Sequence, residues 1–234
     1  MTSRAVRVVL IVPANNTTME PEIRSYCSGI EQLRVARVPR PPRPLEVSDL
    51  PEYRKSTLEA TAPLVKGGID LLIYGCTSAG FLAGPKGDAE MVQALSDLGG
   101  APTVSTSTAI LSALGQAGIR RVDVVSPYAD WKNECLRSFL TSSGITIERL
   151  DSFNARNPDE LGRIKPEQVR EKALATASPA AEALFLACSQ LPTIDIIPGL
   201  SEKLARPVWS SVKAAGWQAN EILKSSAARA ANAA

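Results

Sequence analysis

The sequence predicts an α/β protein built as two similar halves, each a parallel sheet flanked by helices, facing each other across one cleft. Three observations carry this reading. Short apolar runs of strand length alternate with segments whose apolar residues recur at helical spacing. Three landmarks occur twice in the same order: Pro13 and Pro127 are about 114 residues apart, Cys76 and Cys188 112, and Pro102 and Pro207 105. Finally, two apolar runs each end in a cysteine and then a hydroxyl residue: Asp70-Leu-Leu-Ile-Tyr-Gly-Cys76-Thr77-Ser78 and Ala183-Leu-Phe-Leu-Ala-Cys188-Ser189.

Taken along the chain, the first landmark is Val6–Pro13, an apolar strand closed by proline, with Val122–Pro127 as its counterpart. A polar segment follows each: Asn15-Asn16-Thr17-Thr18-Met19-Glu20 in one half, Tyr128-Ala-Asp-Trp-Lys-Asn133 in the other. The cysteine strands form the second pair. Ala101–Ser107 and Arg206–Ser211 form the third, a strand with proline near its start that runs into hydroxyl residues and then a helix. Between landmarks, Leu58–Val65, Glu90–Leu98, Lys132–Thr141 and Pro166–Ala177 show helical spacing. Pro21 and Pro166 suit a helix's first turn, and Gly99, Gly118 and Gly144 suit helix stops. The basic, proline-rich stretch Arg37–Arg43 reads as an extended solvated loop. Ser152–Arg163 reads as a polar loop able to close on a bound molecule. Repeated landmarks in fixed order imply an internal duplication, with one half spanning residues 1–108 plus about 214–234 and the other 109–213.

Composition narrows the function. The 234 residues are 44% hydrophobic and 21% charged, with a formal net charge of +2 and no histidine. That balance, with no basic stripe interleaved with aromatics, argues against nucleic-acid binding. No run approaches the roughly 20 apolar residues that cross a bilayer, and Val6–Val12 reads as a strand rather than a signal peptide. Four cysteines without a dense framework fit a reducing cytoplasm. Without histidine or a Cys-x-x-Cys pair, no metal site is expected.

The absence of histidine also removes the usual acid/base residue and makes the paired thiols the leading candidates. A strand-end cysteine opening a helix meets exposed N–H groups and the positive dipole end, which favour a thiolate. The same N–H groups can hold a carboxylate. Cys76-Thr77 and Cys188-Ser189 both read this way, and Gly75 lets the backbone come close to a ligand. Cys27 and Cys135 lie among apolar neighbours and read as packing. Asn15, Asn16, Thr17 and Thr18 suit helix capping, binding of a carboxylate or carbonyl, or both. Tyr128 stands in the matching place in the second half, where a phenol can donate to an oxyanion. Ser105–Thr108 and Ser210-Ser211 read as helix caps or as the floor of the cleft. Asn154 and Asn157 are the loop's likeliest contacts.

These residues carry a resemblance. Val12-Pro-Ala-Asn-Asn-Thr-Thr-Met-Glu20, Tyr74-Gly-Cys76-Thr-Ser78, Ser126-Pro-Tyr128 and Leu186-Ala-Cys188 resemble the aspartate/glutamate racemase superfamily, and within it most closely the maleate cis-trans isomerases. The resemblance implies two Rossmann-like (flavodoxin-like) halves with an active-site cleft between them. It also implies an enzyme without a cofactor, acting on a small dicarboxylate, and a homo-oligomer of two or more chains. Carried over, Cys76 is the nucleophile that adds to the double bond of maleate to give a succinyl-cysteine. Cys188 is the general acid/base, and Asn16, Tyr128 and Asn157 bind substrate; Thr77 and Ser189, next to the cysteines, join them as substrate-binding candidates from their own placement. The stretch Gly75–Phe81 is instead closer to arylmalonate decarboxylases, which carry only the second-half cysteine. A racemase of amino-acid or hydantoin-like substrates, a decarboxylase and a non-catalytic small-molecule receptor are the alternatives.

Overall fold

The computed structural model describes residues 5–27 and 29–232. Two four-stranded parallel sheets form the framework. The first contains β1 (Val6–Pro13), β2 (Ile30–Val38), β3 (Leu71–Tyr74) and β4 (Thr103–Ser105) in the order β2-β1-β3-β4. The second contains β5 (Arg121–Ser126), β6 (Thr146–Ser152), β7 (Ala183–Leu186) and β8 (Val208–Ser210) in the order β6-β5-β7-β8. Helices α1 (Met19–Tyr26), α2 (Leu50–Val65), α3 (Thr77–Gly99) and α4 (Thr106–Gln116) serve the first half. In the second half lie α5 (Asp130–Ser142), α6 (Pro158–Gly162), α7 (Pro166–Thr176) and α8 (Ile197–Leu204). The last helix, α9 (Ser211–Asn232), leaves β8 and packs against α1 and α4.

The two halves correspond down to single hydrogen bonds. Gly75 N–H donates to Ile11 C=O at 2.7 Å, as Ala187 N–H does to Val125 C=O at 2.8 Å. Leu72 N–H donates to Pro102 C=O at 2.9 Å, as Leu184 N–H does to Pro207 C=O at 3.0 Å. The first strand of each half carries one register shift near its start, Val6/Arg7 and Val122/Asp123. Even the ion pairs at the strand bases repeat, Arg7–Asp70 at 3.6 Å and Arg121–Glu182 at 3.2 Å. Independent local preferences do not produce such pairing; a duplicated unit does.

Strands buried on both faces read as continuous apolar runs, which is why β1, β3, β5 and β7 stand out in the sequence. The edge strands β2 and β6 do not. Their mixed pattern, Ile30-Glu-Gln-Leu-Arg-Val-Ala-Arg-Val38 and Thr146-Ile-Glu-Arg-Leu-Asp-Ser152, leaves one side partly in solvent. The Arg37–Arg43 stretch is therefore corrected: Arg37 and Val38 end β2, and only the residues beyond them form the loop. Pro166 opens α7 and Pro21 sits in the first turn of α1. Gly118 and Gly144, just past α4 and α5, have φ of +69° and +78°, which L side chains rarely adopt. Among the described residues no helix is long and apolar enough to cross a membrane.

Candidate active site

In each sheet the chain leaves its two central strands toward opposite faces, and the crevice at that switch point is where parallel α/β sheets bind ligands. The loops after β1 and β3 carry Asn16 and Cys76; those after β5 and β7 carry Tyr128 and Cys188. The two crevices meet in one cavity. Cys76, Cys188, Asn16, Thr77, Tyr128, Asn157 and Ser189 all line it, together with Arg40, Trp131, Lys132, Leu161 and Gln190.

Cys76 occupies the N-cap position of α3 and is 4% exposed, with Ser78 Oγ 3.9 Å from its Sγ. Gly75 before it is required by packing: a Cβ there would lie 2.4 Å from Met19 Sδ and 2.9 Å from Ile11 O. The close approach is to protein, not to a ligand. Cys188 differs from the sequence expectation, because no helix starts behind it. A turn follows, and α8 begins only at Ile197. The turn still aims an amide at sulfur, with Gln190 N–H donating to Cys188 Sγ at 3.3 Å. Burial pushes the Cys188 thiol up, and the Gln190 amide and the Tyr128 hydroxyl only partly oppose this. Cys188 therefore keeps its proton at neutral pH and is suited to donate it.

Asn16 joins the halves. It is 1% exposed, and its Oδ1 accepts from Thr18 N–H at 3.0 Å and Met19 N–H at 2.9 Å, capping α1. Its Nδ2 donates to Ser189 Oγ at 3.1 Å, and Ser189 Oγ donates on to Gly75 C=O at 2.6 Å. One side chain thus caps a helix and retains a second Nδ2 proton beside the thiols. Asn15 is set apart from this arrangement and pairs with Gln190 instead. Buried Glu22 adds a further link across the halves, accepting from Thr193 N–H at 2.6 Å, Thr193 Oγ1 at 2.9 Å and Ile194 N–H at 3.0 Å.

Tyr128 stacks edge-on against Phe81, with ring centroids 5.2 Å apart. Its buried hydroxyl has no partner in hydrogen-bond geometry, yet it lies near enough to the Cys188 thiol that each shifts the other's acidity. The buried, unpartnered Tyr53 hydroxyl on α2 likewise lies beside Cys76, and burial first, then Cys76, push its pKa up; the sequence did not single Tyr53 out. The Thr77 hydroxyl is already engaged with Thr106 Oγ1 at 3.1 Å, so its contribution to the cavity is its backbone at the start of α3. Asn157 Oδ1 caps α6 through Asp159 and Glu160, leaving its amide to the cavity. Asn154 is exposed, with φ of +49°, and does not line the cavity. Ser105 and Ser210 cap α4 and α9.

The two charged residues of the cavity, Arg40 and Lys132, were missed in sequence, as were Trp131, Leu161 and Gln190. Lys132 is 3% exposed in the first turn of α5, where the helix dipole disfavours a cation. A lysine so placed is a signal that sequence reading could have used. Burial lowers its pKa to about 8, and the Arg40 charge adds to the effect. Arg40 reaches the cavity from the stretch read as a solvated loop, which is thereby corrected. Among the described residues no group of three cysteine or acidic side chains gathers to hold a metal ion.

Comparison with known proteins bears on the family and the fold. The arylmalonate decarboxylase of Bordetella bronchiseptica is 26% identical over 215 residues, covering 89% of this chain and 84% of that protein. The maleate isomerase of Geobacillus stearothermophilus is 27% identical over 237 residues, covering 94% and 91%. Among solved structures, Nocardia farcinica maleate cis-trans isomerase, a cysteine-to-serine mutant with a covalently bound succinylcysteine intermediate, superposes with a TM-score of 0.85 at 22% identity, covering 94% of this chain and 93% of that one. The arylmalonate decarboxylase family model matches residues 49–234, the greater part of the chain. With two parallel sheets meeting at a two-thiol cavity, this chain belongs to the arylmalonate decarboxylase family of enzymes.

Proposed function

We propose that the protein is a cofactor-independent cis-trans isomerase of small dicarboxylates, converting maleate to fumarate. The observation that carries this reading is the pair of thiols, one from each half, lining a single cavity. Sequence identity alone does not choose, since the decarboxylase and an isomerase are equally distant at 26% and 27%. The resemblance gives decarboxylases the second-half cysteine alone, so Cys76 favours a reaction that uses both.

The chemistry follows from one thiol in each half reaching the same cavity. The Cys76 thiolate, a soft nucleophile, attacks one alkene carbon and forms a C–S bond. Cys188, held protonated by burial, delivers its proton to the neighbouring carbon. The former double bond is now single and rotates. The Cys188 thiolate then removes a proton from that carbon, the C–S bond breaks, and fumarate leaves with the Cys76 thiolate and the Cys188 thiol restored. Asn16 Nδ2, the Asn157 amide and the amides behind each cysteine hold the two carboxylates during rotation.

Fumarate formation from maleate, followed by ultraviolet absorbance, tests the reading. The native protein is expected to turn over maleate and the Cys76→Ser variant to be inert. Cys188→Ser is expected to accumulate an adduct of one substrate mass on Cys76, seen by intact mass spectrometry. No turnover of maleate, together with carbon dioxide release from a substituted malonate that persists in Cys76→Ser, would establish decarboxylation instead.

A further inference from the structure

None of the side chains lining the thiol cavity is acidic, yet two are cationic. Lys132 is 3% exposed, and among the described residues its ammonium forms no hydrogen bond and no ion pair. It lies instead against the faces of Trp131 and Tyr128, 5.0 and 5.8 Å from the ring centroids. Arg40 also lacks a described partner, and its Nε is fully buried and unsatisfied. The nearby carboxylate, Asp49, is consumed elsewhere: it makes two bonds to Arg43, of 2.7 and 2.8 Å, and accepts from Glu46 N–H at 2.8 Å.

A buried lysine beside a second, partly buried cation, with no ion pair to either among the described residues, is costly for a fold to maintain. The two cations also repel each other, which only an anion between them reverses. Aromatic faces offset a small part of this. The rest must come from what the cavity binds.

We propose that Arg40 and Lys132 together form a carboxylate receptor within the thiol cavity, restricting it to substrates that carry at least two acidic groups. The inference rests on, and deepens, the dicarboxylate reading above. Arg40 comes from the loop after β2 and Lys132 from α5, so each half contributes one cation to the receptor. Each cation offers a charge-assisted hydrogen bond, stronger than those of the neutral amides at the strand ends. A substrate with one acidic group and one bulky apolar group leaves this pair unneutralised and binds poorly.

Succinate, which has the two carboxylates but no double bond, tests the receptor without any reaction. Isothermal titration calorimetry of the native protein is expected to show succinate binding well above that of butyrate. Lys132→Met and Arg40→Gln are each expected to weaken succinate about 10- to 100-fold while leaving butyrate nearly unchanged. Circular dichroism melts confirm that each variant is folded; should one fail, the other still decides. Succinate affinity unchanged in a folded variant overturns the proposal. The outcome is separable from that of the isomerase assay. Loss of succinate binding in the variants without maleate turnover keeps the receptor and removes the reaction, and the converse result does the opposite.

Discussion

Asn16 divides its functions between the two ends of one amide, and this can be separated by mutation. Asn16→Ala removes the Oδ1 cap to Thr18 and Met19 as well as the Nδ2 bond to Ser189. Loss of an N-cap costs about 1 kcal/mol, and loss of a buried side-chain hydrogen bond about 1 kcal/mol more. A total of about 2 kcal/mol corresponds to a fall in Tm of roughly 4–8 °C for a chain of this size. Asn16→Asp retains the acceptor that caps α1, and its charge-assisted bonds to Thr18 and Met19 N–H at the helix N-terminus offset the cost of burying a carboxylate. It removes the Nδ2 donor and sets a carboxylate against an anionic substrate. The aspartate variant should therefore be more stable than the alanine variant yet less active. Its kcat/KM on maleate should be lower than native by about 100-fold or more, since a hydrogen bond to a charged group is worth about 1.5–3 kcal/mol and repulsion is added. Thermal melts and initial rates on the three proteins measure both axes. Stability and activity falling in proportion across the two variants would refute the division, as would an aspartate variant of native activity.

Two further outcomes follow from buried groups outside the thiol pair. Asp88, fully buried on α3, accepts from Ser105 Oγ at 2.8 Å, and its Oδ2 has no partner. Burial raises its pKa from 3.8 to about 6. Its protonated form stabilises the fold below about pH 4, and that contribution is lost as pH rises through about 6, an effect of about 3 kcal/mol. Urea melts between pH 4 and 7 should show the decline, and Asp88→Asn should reduce it; the contribution from Glu22, whose pKa burial also raises, remains in both proteins. An identical slope in the variant counts against Asp88. Alkylation with iodoacetamide, mapped by peptide mass spectrometry, should show maleate protecting Cys76 but not half-buried Cys135. Cys27, packed against Gly216 with its thiol pushed up to about 11 by burial, should react only on unfolding. Protection of Cys135, or labelling of Cys27 in the folded protein, would contradict the placement of the thiols.

The chain by itself determined the architecture, because duplication repeats landmarks and buried parallel strands leave unbroken apolar runs. Val6–Pro13 with Val122–Pro127, and the two cysteine strands, were legible for that reason. It also placed the polar residues at strand ends, where parallel sheets bind ligands, so the seven anticipated side chains meet in one cavity. The edge strands β2 and β6 escaped notice, since a half-solvated strand mixes polar and apolar residues as a loop does. Only the tertiary structure decided which groups face the thiols from distant segments. Arg40 and Lys132 lie in different halves, and neither carries a local pattern that names the other. Burial too is a property of the whole fold. It holds Cys188 protonated, lowers the pKa of Lys132 and sets the Tyr53 and Tyr128 hydroxyls beside the two thiols. Sequence spacing places residues along elements, whereas charge and acidity depend on everything packed around them.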